Sequence, residues 1–331
     1  MPHAPNRYAI ECSSGATKGP PLHPMVAEAT EYRKGTIYNM TITDAFREFC
    51  NQLLFTQSKR STIASRKTEI AKAINSVFRG YPYDSYTKYV GSYGRETANG
   101  TVSDIDMLMI LPYDTYVRYN AYQSNGQSQL LQDVKNAIKG HYSTTKNKGD
   151  GQVVDVWFSD GLSFEVVPCF TNTDGSYTFP DSNNGGRWVV TNPQPEIDYI
   201  AGAEVDCNNN LRNLCRMVRA WKEQNNVPIK SCLIDTLACR FLENWENKDK
   251  SYFYYDFMSR DFFEYLSKID PVQTWWRMVG SNQWIYNPEN FRAKAKKAYE
   301  LAVEAIDADN NNYEWTRNNK WREIYGNRFP N

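Results

Sequence analysis

From Thr43 the apolar side chains recur at helical spacing. Phe46, Phe49, Cys50, Leu53 and Leu54 fall on one face, and Thr43 or Thr41 can cap the start. A second helix is expected over residues 59–78, with Ile63, Ile70, Ile74, Val77 and Phe78 on one side and Gly80-Tyr81-Pro82 as its stop. Both helices are expected to pack behind a sheet. Residues 86–90 and 105–111 read as strands, the second ended by Pro112. A polar loop over 120–127 precedes a helix over 128–138 that closes near Gly140. Strands follow at 153–158 and 162–169, joined by Ser159-Asp160-Gly161, whose Asp-Gly pair is a strong hairpin signal. Residues 172–192, rich in Asn, Asp, Gly and Ser, read as loop with a short hairpin near 177–179 and 188–190.

Downstream the pattern turns helical. Leu211, Leu214, Cys215, Val218 and Trp221 keep the period until Asn225-Asn226 and Pro228 break it. Ser231 is placed to cap the next helix, whose apolar face carries Leu233, Ile234, Leu237, Ala238, Phe241 and Leu242. An aromatic helix at 253–269, better suited to core than to ligand, and a long one at 288–308 follow. The ending, 321–330, has too many large side chains to hang free and is expected to dock. Strands lie in the first half and helices in the second, so the expected class is α+β, a mixed sheet lobe followed by a helical lobe. The proline-rich residues 1–25 are expected to form a flexible arm, 26–195 the sheet lobe with its leading helices, and 196–331 the helical lobe.

A chain of 331 residues can bury a substantial core. Lysine and arginine number 38 against 38 aspartate and glutamate, so no global field marks a binder of long nucleic acid. Seven cysteines without a CxxC, and only His3, His23 and His141, suit reduced thiols in a cytoplasmic protein and argue against zinc. Neither a signal peptide nor an apolar run long enough to span a membrane is evident.

The candidate chemistry lies in residues 91–112, GSYGRETANGTVSDIDMLMILP. Asp104 and Asp106, two apart in a strand, share a face about 6.5 Å apart. Carboxylates so placed repel unless a cation lies between them, and hard oxygen ligands suit Mg²⁺ or Mn²⁺. The Gly91-Ser92 turn offers backbone N–H groups and a hydroxyl to phosphate oxygens. A third carboxylate is needed to complete a two-ion site. Asp155 in VVDVW and Glu165 in FEVVP are both in phase, and Glu165 sits in the more apolar run, where an unpaired charge is costly.

Gly-Ser followed by Asp-x-Asp in a strand resembles the nucleotidyltransferase superfamily of the DNA polymerase beta type. Within it the chain looks most like the bacterial relatives of cyclic GMP-AMP synthase, which make cyclic oligonucleotide signals in antiphage defence. The ending WREIYGNRFP also resembles theirs. The resemblance selects Glu165 as the third carboxylate and implies an active site in the cleft between the lobes. There Asp104, Asp106 and Glu165 would hold two Mg²⁺ or Mn²⁺ ions. Gly91 and Ser92 would contact the triphosphate from the sheet side, and Lys222 and Ser231 from the helical side, with Lys230 as a rival. Arg95 is expected near the rim, and Thr97 and Ser103 to order the loop. Tyr93 is one aromatic that could stack on a base. Arg212, Arg216 and Arg219 share a face by spacing, either as an exposed stripe or as a ligand surface.

The implied reaction joins ribonucleoside triphosphates, ATP, GTP or both with pyrimidine nucleotides also admissible, into a cyclic di- or oligonucleotide, releasing pyrophosphate. A separate effector protein would sense the product. The rival readings are a template-independent transferase acting on RNA or a small molecule, and an inactive binding module. Base choice, ring size, linkage and activation are not legible.

Overall fold

Thr41 starts α1 (Ile42–Gln52) by accepting the backbone N–H of Asp44, one of the donors that a helix start leaves unpaired. Thr43 lies inside the helix. The computed structural model describes residues 40–141 and 146–331, and the expected N-terminal arm falls outside the described residues. Thr56 caps α2 (Gln57–Phe78) in the same way. The chain continues through β1 (Thr87–Tyr89), a single turn α3 (Gly91–Gly94), β2 (Asp104–Ile110), α4 (Tyr113–Asn120) and α5 (Gly126–His141). Strands β3 (Lys146–Asp150), β4 (Val153–Trp157), β5 (Ser163–Thr171), β6 (Tyr177–Asp181) and β7 (Arg187–Thr191) complete the main sheet. Helices α6 (Gln194–Asp206), α7 (Asn210–Asn225), α8 (Ser231–Asn244) and α9 (Tyr255–Ser267) follow. A small hairpin, β8 (Trp275–Arg277) with β9 (Trp284–Tyr286), then leads to α10 (Arg292–Asn310) and α11 (Glu314–Tyr325).

The sheet order is β1-β2-β5-β4-β3, with β6 leaving the far end of β5 to pair with β7. Among the described strands of this sheet only β2 and β5 run parallel; the other pairs are antiparallel. The fold is α+β with a mixed sheet, as expected.

Two cores hold it. Ile105, Met107 and Met109 of β2 pack with Val154, Val156, Phe164 and Val166 of the neighbouring strands, under Ile63, Ile70 and Ile74 of α2 and Leu130, Val134 and Ile138 of α5. The second core gathers Leu214, Val218 and Trp221 of α7 with Leu233, Phe262, Phe263, Ala302 and Trp321. Helix α1 belongs here, not behind the sheet: Phe46 and Phe49 meet Tyr325 and Phe329 from the far end of the chain. The closing segment docks, as its large side chains require.

Pro168 does not end its strand. The residues of β5 on its parity face the edge where β4 stops at Val166 and β6 begins only at Phe170, so the missing N–H leaves no gap in a ladder. No helix among the described residues is long and apolar enough to cross a membrane.

Candidate active site

The strand register assembles the acidic groups. Along the parallel pair β2–β5, Asp104 lies opposite Ser163 and Asp106 opposite Glu165. On the other side of β5, Asp155 of β4 lies opposite Glu165. Directly opposed residues share a face, so Asp106, Glu165 and Asp155 form a row across three strands, with Asp104 on the same face two residues before Asp106. The same face of β2 continues into Leu108, which packs with Val90 and Cys169. The row thus stands on an apolar footing.

Burial and the crowding of like charges both act on these carboxyls. Burial, then Asp106, Asp155 and Asp104, push the Glu165 carboxyl from its ordinary 4.5 up to about 7. Burial also raises Asp106, with Arg95 opposing and Asp104 adding. The two residues are direct partners across the parallel strand pair. Asp104 is exposed; Ser103 donates to its Oδ1 at 3.2 Å, and the Ser163 hydroxyl donates to the same atom. Among the described residues no group of three or more His, Cys, Asp or Glu side chains is already gathered at metal-ligand geometry. The donors nevertheless suit a hard divalent cation by chemistry, which would relieve the like-charge crowding that raises both carboxyls.

Gly91 lies against this row. Its φ of +60° favours glycine, and a Cβ there would run into Asp106 Oδ2. Ser92 follows, its carbonyl accepting the N–H groups of Thr97 at 2.9 Å and Ala98 at 3.1 Å. From the helical half, Lys222 Nζ donates to Ser231 Oγ at 3.3 Å, and burial and then Arg219 lower the lysine's pKa.

Comparison with known proteins gives this arrangement a context. Residues 40–203 match the Second Messenger Oligonucleotide or Dinucleotide Synthetase domain. A cyclic AMP-AMP-AMP synthase from an Acinetobacter species is 24% identical over 260 residues, covering 74% of this chain and 73% of the relative. Among solved structures, Escherichia coli MS115-1 CdnC with ATP superposes with a TM-score of 0.57 at 17% identity, covering 87% of this chain and 99% of that one. Vibrio cholerae DncV, a cyclic AMP-GMP synthase in complex with the linear intermediate pppA(3′,5′)pG, gives 0.61 at 13% identity over 88% and 97%. Residues 40–203 thus form a second-messenger oligonucleotide or dinucleotide synthetase domain. It is a nucleotidyltransferase.

Within this synthetase several side chains lie elsewhere than their sequence context suggested. Arg95 is not at the rim: it is buried, with Nε 3.0 Å from Asp235 Oδ2 and Nη1 3.0 Å from Glu196 Oε2. Arg212, Arg216 and Arg219 are neither an exposed stripe nor aimed together at a ligand. Arg212 pairs with the Glu96 carboxylate at 2.9 Å, and Arg216 donates to the Glu96 carbonyl at 2.7 Å. Arg219 is buried against Asp235. Tyr93 is taken up by edge-to-face packing with Phe55 and Tyr89. Ser231 does not cap α8; Lys230 holds the N-cap position without a side-chain bond, and its backbone N–H donates to Asn287 Oδ1. Ser231 is the first residue of the helix, which leaves its hydroxyl to Lys222.

Two contributors went unread. Ser163 stands two residues before Glu165, in phase with it, so strand parity could have found it. Asp235 lies one helical turn after Ser231, but nothing in an amphipathic pattern distinguishes a buried, paired aspartate from a polar face.

Proposed function

We propose that this synthetase joins ribonucleoside triphosphates, ATP or GTP among them, into a cyclic di- or oligonucleotide with release of pyrophosphate. Its biological setting is antiphage defence, where a separate effector protein senses the product. A ribose hydroxyl of the acceptor attacks the donor α-phosphate. The new P–O bond forms as the α–β phosphoanhydride bond breaks, pyrophosphate leaves, and the hydroxyl proton passes toward the carboxylate row. Repetition within the same cleft closes the ring.

Asp104, Asp106 and Glu165 would hold Mg²⁺ or Mn²⁺. Two such ions supply Lewis-acid activation of the hydroxyl and of the α-phosphate, and stabilise charge on the departing pyrophosphate. The chain's own groups orient the donor. Gly91 lets the backbone approach the phosphates, and Ser92 hydrogen-bonds the β- or γ-phosphate. Lys222 and Ser231, already bonded to each other, meet the triphosphate tail from the helical half. Ser163 and Ser103 fix the rotamer of Asp104.

The observation that carries this reading is the register placing Asp106 opposite Glu165 with Gly91 packed against Asp106. Incubation with the four ribonucleoside triphosphates and Mg²⁺ or Mn²⁺, then phosphatase and mass spectrometry, tests it. A phosphatase-resistant product lost in an Asp104→Asn, Asp106→Asn variant supports it. Inertness with every nucleotide and both metals refutes it, and linear extension of added RNA points to a template-independent transferase.

A further inference from the structure

Asp235 lies wholly inside the protein, with no exposed surface. A buried carboxylate without partners would be strongly destabilising, so its environment shows what holds it. Its Oδ2 accepts Arg95 Nε at 3.0 Å and the Thr97 hydroxyl at 2.9 Å. Its Oδ1 lies 2.7 Å from Arg219 Nη1. Arg95 reaches on to Glu196, whose other oxygen accepts the Ser281 hydroxyl at 2.8 Å. Two guanidinium groups thus balance two carboxylates.

The arms of this cluster end at the two groups of residues that face the triphosphate. One arm runs through Thr97, whose N–H donates to the Ser92 carbonyl, and through Arg95, which caps the turn carrying Ser92. The other runs through Arg219, whose Nη2 donates to the Ser231 carbonyl at 3.2 Å; the Ser231 hydroxyl in turn holds Lys222. One carboxylate therefore ties the Gly91-Ser92 turn to the start of α8. Arg95 also acts on the carboxylate row through its charge, which opposes the rise of Asp106.

We infer that Asp235 is a positioning residue for nucleotidyl transfer, fixing the spacing between Ser92 on the sheet side and Ser231 with Lys222 on the helical side, so that one triphosphate meets both. Arg95 and Thr97 hold Oδ2 by directional hydrogen bonds and Arg219 holds Oδ1 as a buried ion pair, a contact whose strength rises because the cluster excludes water. The inference rests on the proposed roles of Ser92, Lys222 and Ser231.

The test is a double-mutant cycle. Asp235→Asn and Thr97→Val are compared in the wild-type background and in a Ser92→Ala, Ser231→Ala background. The readouts are kcat and KM for pyrophosphate release with each ribonucleoside triphosphate, and the dissociation constants of the α,β-imido analogues of ATP and GTP with Mg²⁺. Asp235→Asn is expected to lower kcat/KM about 100-fold, with KM rising and kcat falling together, because misplacement weakens both contacts. Thr97→Val, which removes one hydroxyl without changing shape, gives the same pattern at smaller size and serves if Asp235→Asn does not fold.

Both losses should shrink to near nothing in the double-serine background. Equal losses in the two backgrounds, no loss at all, or a lower kcat with unchanged KM (the signature of a smaller folded fraction) would each overturn the inference. A wild-type protein inert toward every nucleotide would refute the proposed reaction instead. The analogue dissociation constants would still decide the coupling: dependence on Asp235 that disappears in the double-serine background supports it, and its absence refutes it.

Discussion

At the residue scale, Glu165 carries the clearest signature. Its carboxyl, ordinarily at 4.5, is pushed up to about 7 by burial and by three neighbouring aspartates. Between those values the folded, metal-free protein holds a proton that the unfolded chain has already released. Stability in EDTA should therefore fall as pH rises through that window, and Glu165→Gln should remove that part of the slope. Thermal unfolding at pH 5, 6 and 7.5 checks this, and an unchanged slope in the variant would contradict it. Added Mg²⁺ or Mn²⁺ must displace the same proton, so its stabilising effect should be larger at pH 8 than at pH 5.5 and return to zero with EDTA. Gly91 offers a test free of titration. An alanine there needs a left-handed backbone, a strain of about 1–3 kcal/mol, and drives its methyl into the Asp106 carboxylate. Gly91→Ala should lower product formation about 100-fold or more while far-UV dichroism stays unchanged; near-normal turnover would show that the turn and Asp106 are not held together during reaction.

At the scale of elements, what the sequence made legible was phase, and what it withheld was partnership. Alternation along 104–110 and 163–171 put Asp104, Asp106 and Glu165 on definable faces, but the parallel pairing of β2 with β5, which sets Asp106 against Glu165, is a tertiary choice that no local pattern contains. The arginine spacing on α7 sets the side chains at i, i+4 and i+7, while their partners, the Glu96 segment and Asp235, are tertiary choices of the same kind. Helix α6 escaped because its start carries prolines, which are tolerated in a first helical turn, and because only Ile200 and Glu204 are buried along it. The β8–β9 hairpin escaped because three-residue strands hold too few alternations to count. Helix α9 is core, as its aromatic content implied, but it includes a misfit. Asp256 is buried near its start, and burial, with Asp309 adding and the Phe257 N–H opposing, raises its carboxyl from 3.8 to about 6. The sign follows as for Glu165: stability is lost as pH rises from about 4 to 6. Asp256→Asn keeps the acceptor for Phe257 and should stabilise the protein at pH 8 by on the order of 2 kcal/mol, with little effect at pH 4. Equal Tm changes at both pH values would show that ionisation is not what the site resists.

At the scale of the whole molecule, residues 40–331 form one compact unit although they hold two apolar cores. The polar contacts of the closing segment help explain why, while its aromatic packing lies within the helical core. Phe329 packs against Phe46 with ring centroids 5.1 Å apart, and Tyr325 against Phe49 at 4.9 Å, so the last residues seal the helix that precedes the sheet. Beside them Arg328 Nη2 lies 2.6 Å from Glu223 Oε2, and Glu223 also accepts Asn99 Nδ2 at 2.9 Å, on the segment leading into β2. Packing and charge both tie the chain's end to the rest, and their sizes differ. The Arg328–Glu223 pair is partly exposed, with side-chain exposures of 30% and 40%, and such pairs are worth about 1 kcal/mol or less. Phe329 is fully buried, and truncating a buried phenylalanine costs about 3–5 kcal/mol. Phe329→Ala should therefore lower Tm by about 10 °C, and Arg328→Ala by no more than about 3 °C. Because the buried ion cluster around Asp235 and the Arg328–Glu223–Asn99 contacts both join the sheet half to the helical half, unfolding should remain a single transition in both variants, by dichroism and by tryptophan fluorescence alike. Two separated transitions in Phe329→Ala would mean that the helical core can melt while the sheet core stands, so that the ion cluster does not couple them; equal losses from the two substitutions would assign the hold of the chain's end to charge.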